Sequence, residues 1–447
     1  MARRLVVVGG VAAGLSAAGR ARRLQRDLEV TVFERTGFCS YTACGLPYYI
    51  SHVIGDHADL VMRTPQELAR EGVDVRVRHE VSEIDTANRR IRVSDLESGS
   101  ESTVGYDELV IATGASPIAP VPGTGRDGSF TVRTIEDALA IDAWIASRRP
   151  RRGVIVGGGY IGLEMAEALG ARGIATTILE READILPLVD PDVAAEVVAE
   201  LRRHGVEVVT GAAVEEVEGD GRVTAVRAGG QAWAAEIVIM GIGVRPDVAV
   251  PRAAGIPIGP LGAISVDPRM RTGVDGVWAA GDCVQTRHLL HDGPAYIPLG
   301  TTANKQGRIA GANIGGLHEE FGGVVGTSVL KVCDLEVGRT GLTLRQAQAA
   351  GLDAAAGTVE HKSRAAYYPG GRPITVKIVA ERGTGRLLGA QLAGGEGVAK
   401  RLDVIAAALH GAATVDDVAG FDLSYAPPFA PVWDPLLLAA RQAEKAL

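Results

Sequence analysis

The chain is poor in the features that would place it outside a reducing compartment or against a charged polymer. It holds 4 cysteines (Cys39, Cys44, Cys283, Cys333) in 447 residues, too few for a disulfide scaffold, so each thiol is expected to be chemical or simply packed. No apolar run is long enough to span a bilayer. The N-terminus passes from Met1-Ala2-Arg3-Arg4 straight into the short run Leu5–Val8 and a glycine turn. That is not the pattern of a secretory leader, and a cytoplasmic protein is expected. A basic excess is missing too: the formal net charge is −8, which argues against nucleic acid or an anionic membrane surface as partner. No His or Cys stands near Cys283 or Cys333 at metal-ligand spacing, so both read as packing residues and no metal is expected.

What the chain does have is apolar residue and glycine. Its length suits about three domains, and 46% apolar residues supply their cores. The 58 glycines suit turns that approach phosphates. Leu5–Val8 reads as a buried strand, Gly9-Gly10-Val11-Ala12-Ala13-Gly14 as the turn after it, and a small-residue helix runs on through Arg23. The strand Val30–Phe33 then ends on Glu34. This is the βαβ dinucleotide fingerprint, with a carboxylate placed for a ribose hydroxyl. Val11 stands where the second glycine belongs.

The pattern returns whole. Gly153–Val156 leads into Gly157-Gly158-Gly159-Tyr160-Ile161-Gly162, a helix from Leu163 to about Arg172, and the strand Ala175–Leu179 ending on Glu180. A lone fingerprint is weak, because glycine-rich strand-to-helix turns also occur without ligands. Two of them, each with strand, helix and terminal carboxylate, imply two bound dinucleotides. Glu180 would repel a 2′-phosphate and so favours NADH, while the adjacent Arg181 leaves NADPH open.

Between and after the fingerprints, Tyr106–Ala112 and Ala235–Met240 read as strands stopping on the small-residue turns Thr113-Gly114 and Gly241-Ile242-Gly243. Both look like crossovers between two nucleotide-binding units, one inserted in the other. Gly276–Asp282 adds a carboxylate after a strand, suited to a polyol hydroxyl. From about residue 325 short alternating segments appear, such as Ile374–Val379 and Leu387–Leu392, with helices near Ala399–Leu409 and the C-terminus. That texture is α+β, with no nucleotide motif of its own and no further domain expected after it.

One stretch carries a candidate reactive group: Phe38-Cys39-Ser40-Tyr41-Thr42-Ala43-Cys44-Gly45-Leu46-Pro47-Tyr48. Pro47 suits the first turn of a helix and Gly45 permits close approach to the backbone. A thiol just ahead of a helix start is expected to have a depressed pKa. The alternative is a buried structural cysteine.

With two fingerprints, the Ala112-Thr113-Gly114 turn, Gly281-Asp282 and Cys44-Gly45-Leu46-Pro47-Tyr48, the whole chain resembles the flavin-dependent pyridine nucleotide-disulfide oxidoreductases. It is most similar to their single-cysteine branch, which contains coenzyme A-disulfide reductases, NADH oxidases and NADH peroxidases. The resemblance implies an α/β fold with two Rossmann-like domains and a C-terminal α+β dimerisation domain. Residues 1–115 and 246–324 would form the FAD-binding domain, 116–245 the NAD(P)H-binding domain, and 325–447 the dimerisation domain of a homodimer. FAD would meet Gly9, Val11, Ala12, Gly14, Glu34, Arg35, Val81, Ala112, Thr113, Gly114, Gly281, Asp282, Leu299, Gly300 and Ala303. The nicotinamide cofactor would meet Gly157, Gly159, Tyr160, Ile161, Gly162, Glu180, Arg181 and Gly243, with Tyr160 as a gate where nicotinamide stacks.

Within the branch, peroxidases and water-forming oxidases carry a histidine at the position of Ala12, so its absence points away from them. Phe421–Phe429 and Ala365–Gly370 resemble the segments that give coenzyme A-disulfide reductases their catalytic tyrosines, here Tyr425 and Tyr367, which reach the other subunit's active site. Matching coenzyme A positions are Ser16, Arg20, Arg23, Ser40, Ala43, Asn304 and Trp433. A lysine that the family uses downstream has no counterpart, although Arg70 stands nearby. Cys39 is the departure: single-cysteine relatives lack a thiol there, and its C-x4-C spacing to Cys44 is that of two-cysteine reductases, so it is either a packed residue or a second redox thiol. The activity implied is reduction of coenzyme A disulfide, with a persulfide or polysulfide reductase as the alternative and an NADH oxidase behind it.

Overall fold

The computed structural model describes residues 3–291 and 293–447; Met1 and Ala2, where the reading of the N-terminus begins, lie outside them. Two five-stranded parallel sheets repeat one topology. In the first, the strand order is Val277–Ala279, Glu108–Ile111, Arg4–Val8, Glu29–Phe33, Val73–Arg76. In the second it is Ser129–Phe130, Ile237–Met240, Arg152–Val156, Ala175–Leu179, Glu207–Val209. The central strands are nearly unbroken runs of Val, Ile and Leu because helices and side sheets cover both faces, as parallel sheets require. Each unit also carries a three-stranded antiparallel side sheet, His79–Gly105 in the first and Val214–Ala234 in the second. The chain passes between the units along two short strands, Ala115–Pro117 and Val244–Pro246, which pair antiparallel.

Small residues on the first helix, Ala12–Leu24, serve a packing purpose. The helix Gly300–Ile314 lies so close that a Cβ at Gly307 would stand 2.1 Å from the Ala13 carbonyl oxygen, and one at Gly311 2.3 Å from that of Ala17. The helix after the second fingerprint, Tyr160–Ala171, begins earlier than the Leu163 expected from sequence.

The C-terminal unit is a five-stranded antiparallel sheet ordered Ser328–Val332, Leu335–Gly341, Leu387–Gly394, Pro373–Glu381, Ala354–Lys362. Helices Val398–His410 and Pro435–Lys445 pack on it. Its middle strands alternate in sequence yet are buried along almost their whole length. The polar positions point at another part of the protein instead of water: Lys377 pairs with Asp190 at 3.1 Å and Asp192 at 2.8 Å, and Gln391 donates to Asp190 at 2.7 Å. These acids open the helix Pro191–Arg203 of the second parallel unit. Among the described residues no helix is long and apolar enough to cross a membrane.

Candidate active site

The two glycine turns are built alike. Gly9 has φ +107° and Gly157 φ +104°, values that favour glycine. A Cβ at Gly9 would lie 2.1 Å from the Ala112 carbonyl oxygen, while one at Gly14 or Gly162 would strike the carbonyl of Gly9 or Gly157 at 1.9 or 2.0 Å. The second position of the motif is different. Gly159 has nothing nearer than 4.0 Å to an added Cβ, and Val11 has φ −112°, outside the left-handed region that favours glycine. The fold therefore tolerates valine there; a glycine at this position serves only the approach of a ligand.

Glu34 and Glu180 are both buried. Glu34 accepts from the Gly10 N–H at 2.7 Å and the Thr36 N–H at 2.9 Å; Glu180 accepts from Gly158 at 2.7 Å and Glu182 at 2.9 Å. Each carboxylate thus braces its own turn at the end of a sheet, and the glycine walls with a fixed acid beside them fit the pyrophosphate and ribose of a dinucleotide.

Some of the other expected cofactor residues lie against these turns, among them Ala112 against Gly9. Thr113 donates to the Asp247 carbonyl at 2.6 Å, and Gly114 has φ +73°. Arg35 pairs with Asp247 at 3.1 Å and lines a groove of about 340 Å³ with Arg78 and Glu136. Val81 is buried in the core, so only its backbone is available to a ligand. The Gly281 N–H donates to Gln306 at 2.9 Å, and Asp282 is paired with Arg133 at 2.8 Å. Leu299 precedes the helix that opens with Gly300, and Ala303 packs against Ala13 and Ala280. In the second unit Gly243 has φ +112°, and Ile161 packs at the rim of the core. Arg181 is exposed and paired with Glu182 at 2.7 Å. The Tyr160 hydroxyl meets that of Ser328, on the C-terminal sheet, at 2.5 Å.

The cysteine loop is tied to the first turn. Ser40, held at φ +53°, donates its N–H to the Gly10 carbonyl at 2.9 Å. Thr42 bonds the Leu60 carbonyl, and Leu60 fills the place of a Gly45 side chain, 2.4 Å from a would-be Cβ. Cys44 lies in the turn Ala43–Gly45, ahead of the helix Leu46–Ile50, and is the one exposed thiol of the four. Its pKa is not depressed as the helix start suggested. Crowding by protein around an otherwise open sulfur raises it, and the charges of Glu164 and Asp282 raise it further, against the opposing pull of Arg133. A five-residue helix offers too little dipole to reverse this. Glu164 itself is pushed up to about 7 by burial and by Glu167. Cys39 is buried in the first unit's core, and its thiol is raised to about 11. Both cysteines are free.

The expected substrate residues fall in two places. Ser16 donates to Asn304 at 2.8 Å across the two packed helices, Arg20 pairs with Glu319 at 3.2 Å, and Arg23 is exposed over Gly19. Tyr367 and Tyr425 meet hydroxyl to hydroxyl at 3.1 Å on the C-terminal unit. Both are exposed, as are Phe429, Val432 and Trp433, and Arg441 stacks over Trp433 at 4.3 Å. Among the described residues neither tyrosine bonds to the Cys44 loop of its own chain. Sequence reasoning passed over Glu164, Arg133, Gln306 and Ser328. Glu164 alone carried a local signal, as a carboxylate one helical turn beyond Tyr160. Cys333 is buried in a core cluster, as its packing reading expects, and folding also brings Glu200 and His204 to it, with ligand atoms within 4.8 Å of one another.

The comparisons agree with this geometry. Residues 3–307 match the model of the pyridine nucleotide-disulphide oxidoreductase family, and residues 327–435 match its dimerisation domain. An NAD(P)H coenzyme A polysulfide/persulfide reductase of Pyrococcus horikoshii is 39% identical over 99% of this chain and 98% of its own. A coenzyme A disulfide reductase of Staphylococcus epidermidis is 29% identical over 99% and 100%. Relatives named NADH oxidase lie in the same range of identity. The crystal structure of reduced Bacillus anthracis CoADR-RHD superposes with a TM-score of 0.96 at 35% identity, covering 100% of this chain and 80% of that one. The chain belongs to the pyridine nucleotide-disulphide oxidoreductase family.

Proposed function

We propose that this chain is a cytoplasmic, homodimeric flavoprotein that uses NAD(P)H to reduce coenzyme A disulfide through a mixed disulfide on Cys44. Residues 1–115 and 246–324 hold FAD, residues 116–245 hold the nicotinamide cofactor, and residues 325–447 form the dimer contact. The observation that carries the reading is the position of the one exposed thiol. Its loop hangs on the first glycine turn through Ser40, and its charge environment comes from Asp282 of the first unit and Glu164 of the second.

Bound FAD would carry two electrons from the nicotinamide cofactor to sulfur. The Cys44 thiolate attacks one sulfur of the substrate disulfide, forming a mixed disulfide and releasing the first thiolate. Two electrons then cleave that bond, restoring the Cys44 thiolate and releasing the second, which takes a proton from water or a neighbouring acid. Arg133 favours the thiolate. Glu164, half protonated near neutral pH, opposes it less in the protonated form. Tyr367 and Tyr425 of the partner subunit supply phenolic protons to the departing thiolate. Arg20 and Arg23 face the phosphates of coenzyme A, with Ser16, Ser40, Ala43, Asn304 and Trp433 completing its site. Buried Glu180 favours NADH over NADPH, since Arg181 is already paired with Glu182.

A second reading, reduction of coenzyme A persulfide or polysulfide on the same residues, draws support from the higher identity to the Pyrococcus horikoshii enzyme. Steady-state rates with coenzyme A disulfide, coenzyme A persulfide, polysulfide and oxygen rank the readings. The disulfide is expected to give the highest kcat/KM, and a higher value for persulfide replaces the first reading with the second. Tyr425→Phe is expected to slow disulfide turnover roughly 100-fold while flavin reduction by NADH stays unchanged; an unaltered turnover removes the tyrosine from the mechanism.

A further inference from the structure

Far along the chain from the cysteine loop, the second parallel unit and the C-terminal sheet meet at a cluster of unlike donors. The hairpin Ser328–Val332 to Leu335–Gly341 turns on Cys333 and Asp334. Two carboxylates clamp that turn: Glu167 accepts from the Cys333 N–H at 2.9 Å and Glu200 from the Asp334 N–H at 2.8 Å. Cys333 is buried, and the Glu200 side chain is only 1% exposed. His204 stands one helical turn beyond Glu200, on the same face, and is open to solvent.

The imidazole links the cluster at both ends. Its Nδ1 lies 3.1 Å from the Glu200 carbonyl oxygen and 3.4 Å from Glu200 Oε1, and its Nε2 lies 3.4 Å from Asp334 Oδ2. A carboxylate behind a metal-binding histidine is the usual device that fixes its tautomer and orientation. Arg203 pairs with the other oxygen of Glu200, which leaves Oε1 as the one beside Nδ1. The ligand atoms of Glu200, His204 and Cys333 lie within 4.8 Å of one another. Donors sharing one zinc ion stand roughly 3.3–3.8 Å apart, so binding would draw the three side chains closer together.

We propose that Glu200, His204 and Cys333 bind one divalent ion of the zinc class, with Asp334 orienting His204. One sulfur, one nitrogen and one oxygen donor suit tetrahedral zinc and not magnesium or calcium, which take oxygen shells. Water fills the fourth position on the open side of His204. Binding forms the metal–sulfur bond as the Cys333 thiol gives its proton to solvent, with no change of oxidation state. The ion joins helix Pro191–Arg203 to the hairpin turn, so it fastens the second parallel unit to the C-terminal sheet.

The test uses flavin-loaded protein carrying Cys44→Ser, so that the redox thiol cannot capture metal, stripped with a chelator and titrated with Co2+. One equivalent per chain is expected to give tetrahedral d–d bands to the red of the flavin absorption, abolished by added Zn2+. His204→Ala and Cys333→Ser are each expected to weaken binding at least 100-fold, and Asp334→Asn roughly 10-fold. Flavin content checks that each variant folds, and exposed His204 is the replacement least able to disturb it. Absence of the bands in the parent protein, or the same affinity in parent and His204→Ala, overturns the site.

Discussion

The two parallel units are the same device for most of its length and then part company. Gly9 and Gly157 each donate to the last carbonyl of the neighbouring strand, on Phe33 and Leu179, at 2.8 Å. Glu34 and Glu180 each brace the second residue of the turn at 2.7 Å. Six residues beyond each acid stand Ser40 and Leu186, at φ +53° and +50°, and each donates its N–H to that same second residue, Gly10 or Gly158, at 2.9 and 2.8 Å. There the likeness ends. In the first unit the crossover runs through Cys44 and its short helix before the strand Val73–Arg76; in the second it enters the helix Pro191–Arg203 almost at once. A nucleotide-binding scaffold thus accounts for both units, and under the proposed function the chemistry belongs to one crossover loop anchored at a position that both possess.

Replacements that separate the units are the sharpest way to break this comparison. Cys44→Ser is expected to lower disulfide turnover at least ~10³-fold while NADH still reduces the flavin at its normal rate, measured by stopped-flow absorbance. Next in size are the paired acids. Glu180→Ala removes an ionised acceptor from a buried N–H, worth about 1.5–3 kcal/mol, so the KM for NADH should rise roughly 10- to 100-fold. Glu34→Ala should instead loosen FAD, read as flavin lost on gel filtration. If both variants lose NADH affinity alike, the two units do not hold different dinucleotides.

Smaller effects separate the second position of each motif. Gly159→Val is expected to fold, because nothing lies within 4 Å of its Cβ except one carbonyl at that limit, yet to raise the KM for NADH about tenfold. Val11→Gly should cost only about 0.5–1 kcal/mol of stability and leave FAD bound. The smallest effect concerns charge. Glu164 ionises near pH 7 and its negative form raises the Cys44 pKa, so the thiolate fraction rises less steeply above pH 7 than a lone thiol's would. Glu164→Gln removes that opposition: the Cys44 pKa falls, and alkylation by iodoacetamide at pH 8 should run about threefold faster. A slower reaction would assign Glu164 the opposite sign.

What was legible in the sequence was local. Glycines that need positive φ, strands buried on both faces and a carboxylate at a strand end leave marks within some thirty residues, so both units and their topology could be read. The state of Cys44 could not, because burial by the folded chain raises its pKa first, and the charges that add to or oppose this, Glu164, Asp282 and Arg133, come from three separate segments. The alternating strands of the C-terminal sheet concealed their surroundings in the same way: Lys377 and Gln391 look solvent-facing until Asp190 is packed against them. Cys333 packs in a core cluster as expected, while the approach of Glu200 and His204, more than a hundred residues earlier, leaves no local mark in the sequence. The fate of Cys39, by contrast, follows from its burial in the first unit's core, away from the open position that Cys44 takes.

The claim at the centre is that electrons entering through the second unit end on the sulfur of Cys44. Anaerobic titration of the oxidised enzyme with NADH, followed by flavin absorbance, tests it directly when the parent protein, first treated with coenzyme A disulfide to form the Cys44 mixed disulfide and freed of excess, is compared with Cys44→Ser treated alike. The parent should consume twice as much NADH per flavin as the variant and release one coenzyme A thiol per chain. Equal consumption, with no thiol released, would contradict the account.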